Sequence, residues 1–299
     1  MLLFFLGSMS WLLAQGNAEA LRRTLEGTTA AAMAEAKAAL IGRAAQDDNR
    51  PGSLTCPDTD DDGVANQVGG NCTAYIGRIP WKTLDMADVR DGWGERLWYA
   101  LSPELRDNPT AQPINPQQAL QLSLDGTANY AALIFSSGPP LPGQNGRPSN
   151  AVADYLDGVN NDGDFAYVSG PRSPLFNDTV LAITRDDVFR AANMRVLAEI
   201  RGPDDNAAGA PSHGLRRFHA DNGMFPWADT DQDGDANAGE SAGRPPYNSL
   251  NLDPATLAWL NANKWPELVS YQRTSANSAI IRIGDKQMTV IPCPSSPCP

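Results

Sequence analysis

The sequence predicts an α+β protein: a long N-terminal helix followed by two copies of one module, each with a small antiparallel sheet. Three observations carry this. Residues Asp229-Thr230-Asp231-Gln232-Asp233-Gly234-Asp235-Ala236-Asn237-Ala238-Gly239-Glu240 write out the pattern D-x-D-x-D-G-x5-E of a Ca²⁺ loop. An incomplete copy lies upstream as Asp58-Thr59-Asp60-Asp61-Asp62-Gly63, with Asn66 at the ninth position and Gly69 where the closing Glu belongs. Trp93, Glu95, Leu97 and Tyr99 begin 35 residues after Asp58, and Trp265, Glu267, Val269 and Tyr271 begin 36 after Asp229, with the same spacing among themselves. Repetition on this scale precedes any fold assignment. It divides the chain into a helix over 1–46, a first module over 47–175 and a second over 176–299.

The helix is read from composition. Glu19 to Glu26 and Ala30 to Ala45 are rich in Ala, Glu, Lys, Met and Leu, and no proline occurs before Pro51. One helix from residue 2 to 46 would be roughly 65 Å long. Beyond the first loop, 74–80 and 95–101 read as short strands. Residues 121–135 read as a hairpin turning at Asp125-Gly126. The Pro/Gly-rich stretch 139–150 is a loop, and the acidic stretch 154–164 a solvated turn. Thr184 to Asp187 is an acidic form of the capping box, opening a helix to Ile200 that breaks over 202–212 and resumes over 214–221. Asp253-Pro254 starts a short helix. Residues 279–291 form a second hairpin, turning at Gly284-Asp285.

Composition limits the partners. A net charge of −12 over 299 residues disfavours nucleic acid and anionic surfaces. Cys56 and Cys72 bracket the first acidic loop, and Cys293 and Cys298 bracket the tail. Two local disulfides in an oxidising compartment are preferred over four free thiols or a zinc site, because the first pair lies outside zinc-ligand spacing.

The run from Met1 to Ala14 is apolar and uncharged. As a helix it spans about 21 Å, short of the roughly 30 Å hydrocarbon core. The expectation is a chain that lacks upstream residues or has been processed, with a membrane anchor continuing into a stalk. Ala34-Glu-Ala-Lys-Ala-Ala-Leu-Ile-Gly-Arg-Ala-Ala45, Pro51 to Asp60, Gly77-Arg-Ile-Pro-Trp81 and Asp91 to Tyr99 resemble type IV pilins and type II secretion pseudopilins. The resemblance covers residues 1 to about 136, and 184–291 more loosely. It implies two pilin-like modules, an inner-membrane anchor, a periplasmic or extracellular head and packing against other pilin-like subunits through the helix. Phe5 stands where such pilins usually carry Glu, which points to a minor component.

The metal reading assigns Asp229, Asp231 and Asp233 as side-chain ligands. Asp235 would contribute its carbonyl, Asn237 a direct or water-mediated contact, and Glu240 a bidentate carboxylate. Asp58, Asp60, Asp62 and Asn66 form a weaker second Ca²⁺ site. No catalytic constellation is evident. His213 and His219 are not spaced as a ligand pair, and no nucleophile elbow, Cys–His pair or P-loop occurs. Glu95 and Glu267 have the residue type of a glycosidase pair, but their matched places in two repeats suit structural contacts better. The Trp and Tyr beside them are read as core strand positions. The function expected is therefore non-enzymatic: a pilin-like envelope protein with a Ca²⁺-stabilised head. The alternative is a membrane-tethered Ca²⁺-dependent binding or adhesin module outside any filament.

Overall fold

The computed structural model describes residues 2–108, 113–204, 210–294 and 298, and for residues 2–17 the helix backbone alone. The side chains on which the membrane-anchor expectation rests lie outside the described residues. The architecture is mixed α+β and forms two compact units, one of Met1–Ile41, Leu54–Asn108 and Ala119–Arg185, the other of Gly42–Ser53, Pro109–Gln118 and Asp186–Pro299.

Helix α1 runs over Leu2–Gln46. Asp47 stops it: the carboxylate accepts the backbone N–H groups of Asn49 and Arg50 at 3.2 and 2.9 Å and pairs with Arg43 at 3.2 Å. Pro51 cannot continue the helix, and Gly52, at φ 99°, closes it by donating to Ala44 O at 2.8 Å. In the first unit Thr29, Ala32, Met33, Ala36 and Leu40 form the buried stripe, at the three-and-four spacing of one helical face. Residues 18–24 are all exposed.

The first unit carries a four-stranded antiparallel meander. Its strands are β3 (Ile76–Arg78), β4 (Trp98–Leu101), β6 (Tyr130–Ser136) and β8 (Thr179–Thr184), paired in that order. Ahead of it, β1 (Gln67–Val68) and β2 (Asn71–Cys72) make a small hairpin. β6 is buried on both faces. Leu133 and Phe135 join Trp98, Leu122, Tyr155 and Tyr167 in one cluster, while Ala132 and Ile134 occupy the opposite face, as strand alternation requires.

The second unit has its own helices and sheet. α2 (Arg185–Arg201) and α3 (Gly214–Asn222) precede β9 (Ala242–Gly243), and α4 (Pro254–Ala262) precedes β10 (Ser270–Ser275), β11 (Ser278–Ile283) and β12 (Lys286–Val290). The sheet order is β9-β10-β11-β12, again an antiparallel meander.

Three sequence expectations need correction. The segment 121–135 is not a hairpin of paired strands. Asp125 and Gly126 do turn, at φ 51° and 76°, but β5 (Ser123–Leu124) pairs in parallel with β7 (Ala166–Tyr167), and β6 pairs with β4 and β8. The apolar alternation was sound; the partner was set by the long β6–β8 excursion, which brings β7 to β5. The Trp-Glu-Tyr motif is not one strand either. Trp93 is half-buried in a turn and Trp265 opens a short 3₁₀ turn, fully buried, so only Tyr99 and Tyr271 lie in strands. The acidic stretch 154–164 is only partly solvated, because Asp157 and Asn160 are buried. Asp157 accepts from Gln144 Nε2 at 2.8 Å and from Asn177 N at 2.7 Å, and such partners make its burial tolerable.

Candidate metal centres

The two acidic loops fold alike, residue for residue. Asp58 and Asp229 are each almost fully buried at the loop start and collect the turn's N–H groups. Asp58 Oδ1 accepts from Asp61 N at 2.8 Å and Oδ2 from Gly63 N at 2.7 Å. Asp229 Oδ1 accepts from Gln232 N at 2.6 Å and Oδ2 from Gly234 N at 3.0 Å. Asp61 and Gln232 are left-handed at φ 67° and 68°, and Gly63 and Gly234 follow at 87° and 91°. Asp62 and Asp233 each take the N–H two residues on, at 2.7 and 2.8 Å.

This geometry turns three carboxylates to one point. Asp58, Asp60 and Asp62 place one oxygen each within 4.8 Å of the others, and so do Asp229, Asp231 and Asp233. In both sets the first Asp is buried and the others are exposed. Such a set of hard oxygens, open on one side, suits a divalent cation such as Ca²⁺, with water or further oxygens completing its shell. Burial pushes the Asp58 carboxyl above the usual carboxylate range, against the lowering pull of the Gly63 and Asp61 N–H groups.

Of the other expected ligands, Asn66 adjoins its set, its Nδ2 donating to Asp60 Oδ2 at 3.3 Å. Asn66 Oδ1 accepts from Thr59 N at 2.6 Å and Thr59 Oγ1 at 3.1 Å. Asn237 Oδ1 does the same for Thr230, at 2.7 and 2.9 Å. Both asparagines thus brace the loop across its mouth. Glu240 is exposed and outside the converging group, its backbone N–H donating to Asn237 O at 3.0 Å. Asp235 is exposed and receives Asn248 Nδ2 at 3.3 Å. The two loops therefore present the same three carboxylates, although only the second has the closing Glu.

Each loop is hooked to the first strand of its sheet. Asp58 bridges Arg78 and Asp229 bridges Arg244, with backbone bonds in both directions. A side chain on Gly77 or Gly243 would stand 2.5 or 2.4 Å from the carbonyl oxygen of Asp58 or Asp229. The hydroxyl of Tyr99 donates to Thr55 O at 3.2 Å, and that of Tyr271 to Pro226 O at 2.7 Å. In the first loop Lys82 Nζ donates to Asp62 O; in the second Asn248 Nδ2 donates to Asp233 O at 3.1 Å.

The sequence analysis missed this second part of the repeat. Gly77-Arg78-Ile79-Pro80-Trp81-Lys82 and Gly243-Arg244-Pro245-Pro246-Tyr247-Asn248 occupy the same places, and their shared G-R-x-P-aromatic pattern was visible. Their spacing from the loops differs by five residues, which hides the match from a fixed-offset comparison.

The cysteines pair as Cys56–Cys72 and Cys293–Cys298. The first pair joins the approach to loop one with β2. The histidines have local partners: His213 Nε2 lies 3.3 Å from Glu199, and His219 Nε2 lies 2.9 Å from Asn277 Oδ1. Glu95 pairs with Arg147 at 3.5 Å, while Glu267 is exposed. Among the described residues no helix is long and apolar enough to cross a membrane. No protein-family model, curated protein or solved structure matches the chain.

Proposed function

We propose that this chain is a non-enzymatic, pilin-like envelope protein. In this reading the apolar start of α1 enters the bacterial inner membrane or packs against neighbouring pilin-like subunits. The two units then form a periplasmic head whose acidic loops bind Ca²⁺. The observation that carries the reading is the exposure of residues 18–24, seven consecutive positions of α1 ahead of Thr29, the first buried one among the described residues. A helix that leaves its unit by two turns, with an apolar segment still to come, has surface to offer another body. Two helix-and-meander units, each with an acidic loop hooked to its first strand, accord with a tandem of pilin-like modules.

The bound cations would hold each loop against its sheet. Their binding energy adds to the stability of the folded unit, since the converging carboxylates repel one another without an ion. Flotation with anionic and zwitterionic vesicles tests the anchor: the full chain should float and residues 18–299 should not. Crosslinking in cells from cysteines placed at residues 18–24 tests the assembly. Full chain that neither floats nor crosslinks would refute the reading. Terbium luminescence, excited through Trp81 and Trp227 beside the loops, tests the metal sites separately.

A further inference from the structure

The two repeats differ at one arginine. In the first unit Arg78 is fully engaged: it pairs with Asp61 at 3.0 Å, donates to Ser149 O at 3.0 Å and lies 4.7 and 4.3 Å from the Trp98 and Tyr155 rings. Its counterpart Arg244 lacks all of these. The loop residue matching Asp61 is Gln232, and the Arg244 side chain makes no ion pair or hydrogen bond among the described residues. It lines a cavity of about 320 Å³ between the second acidic loop and α4.

Two further groups in the wall of this cavity have no side-chain partner among the described residues. Lys264 is exposed and follows the C-cap of α4 in the left-handed region at φ 58°. The Asn261 amide is exposed in the same wall. A guanidinium fork, an ammonium and an amide together match the oxygens of a carboxylate or phosphate.

Asp229, Asp233 and Glu267 also line the cavity and oppose an anion. With Asp231, the third carboxylate of the loop, they outnumber the two cations, and a divalent ion in the loop offsets that excess and leaves Arg244 and Lys264 to hold an anion. We propose that this cavity binds a small carboxylate- or phosphate-bearing ligand through Arg244 and Lys264, and that it does so only when the second loop holds its cation. This rests on the metal reading given above. By linkage, the anion also tightens the loop's hold on the metal by the same factor.

The test uses the full chain, with succinate and methyl phosphate as probes, titrated by calorimetry in saturating Ca²⁺ and again in EGTA. Saturable binding of either probe is expected in Ca²⁺, at least tenfold weaker in EGTA, and the preferred probe assigns the group. Lys264→Gln, at an exposed position, and Arg244→Gln should each weaken it tenfold or more. Terbium binding and circular dichroism should remain those of the parent. Terbium binding without probe binding, or probe affinity unchanged in both variants, overturns this proposal alone. Failure of terbium to bind overturns the metal reading and the dependence built on it.

Discussion

The loop asparagines show how one residue can hold a turn in shape for the carboxylates beside it. Asn237 spends its oxygen on Thr230, and the carboxylates of Asp231 and Asp233 are then aimed by the turn it braces. Asn237→Ala should lower Ca²⁺ affinity by about 10- to 100-fold, the range for removing a group that orients ligands. Glu240→Gln should cost less than Asp231→Asn, since only Asp231 stands in the converging set. Competition of Ca²⁺ against terbium measures both; a larger loss for Glu240→Gln would mean the loop closes further when loaded. Asp178 offers a different test. Burial raises its carboxyl to about 7, helped by the nearby Asp157 charge. Between pH 4 and pH 7 the folded chain then keeps a proton that the unfolded chain has lost, so stability falls as pH rises through that window. The full effect is about 4 kcal/mol. Asp178→Asn keeps an acceptor for Asp157 N and Asn160 Nδ2 and should flatten the fall. Urea unfolding at pH 5 and pH 8 measures it, and equal slopes for parent and variant would contradict the assignment.

At the scale of the element, the junction of loop and strand is the repeated device. Gly77 and Gly243 let β3 and β9 pass against the loop carbonyls, where a methyl group has no room. The neighbour in each case is backbone, which cannot rotate aside. Gly77→Ala and Gly243→Ala should each destabilise their own unit by about 1–3 kcal/mol, the usual cost of overpacking. Each should also weaken terbium binding at the adjoining loop. Hydrogen exchange, resolved by segment, would register the loss in one unit for each variant. Loss in neither would show that strand and loop are not coupled.

For the whole molecule the question is how much of α1 the fold requires. Among the described residues, 18–24 are exposed, Leu25 and Glu26 are half-buried, Thr29 is the first fully buried position, and Leu40 is fully buried. Removing residues 1–17 should therefore leave thermal unfolding of the rest within about 0.5 kcal/mol of the parent, as for changes on an exposed surface. Leu40→Asp, which buries an unpaired charge, should cost more than about 4 kcal/mol. Calorimetry on both distinguishes a projecting stalk from a core helix. A truncated chain that unfolds would place the N-terminal segment in the core and remove the argument for an anchor.

The sequence by itself determined the local and periodic features. Unbroken helix formers predicted α1, Asp253-Pro254 predicted α4, and Gly284-Asp285 predicted the β11–β12 turn, because each depends on contacts a few residues apart. The acidic loops were legible for the same reason: alternating carboxylates around Gly63 and Gly234 carry their geometry with them. Tertiary structure decided what depends on distant partners. It paired β5 with β7 across the β6–β8 excursion, and it buried Trp265 while leaving Trp93 half-buried. It used Asn66 and Asn237 as braces, and left Glu240 outside the carboxylate set. It also gave Arg78 the partners that Arg244 lacks, a difference no local pattern records. A strand's apolar alternation says which face is buried but not which strand lies beside it, and a charged side chain's role is fixed by what the fold brings within about 4 Å of it.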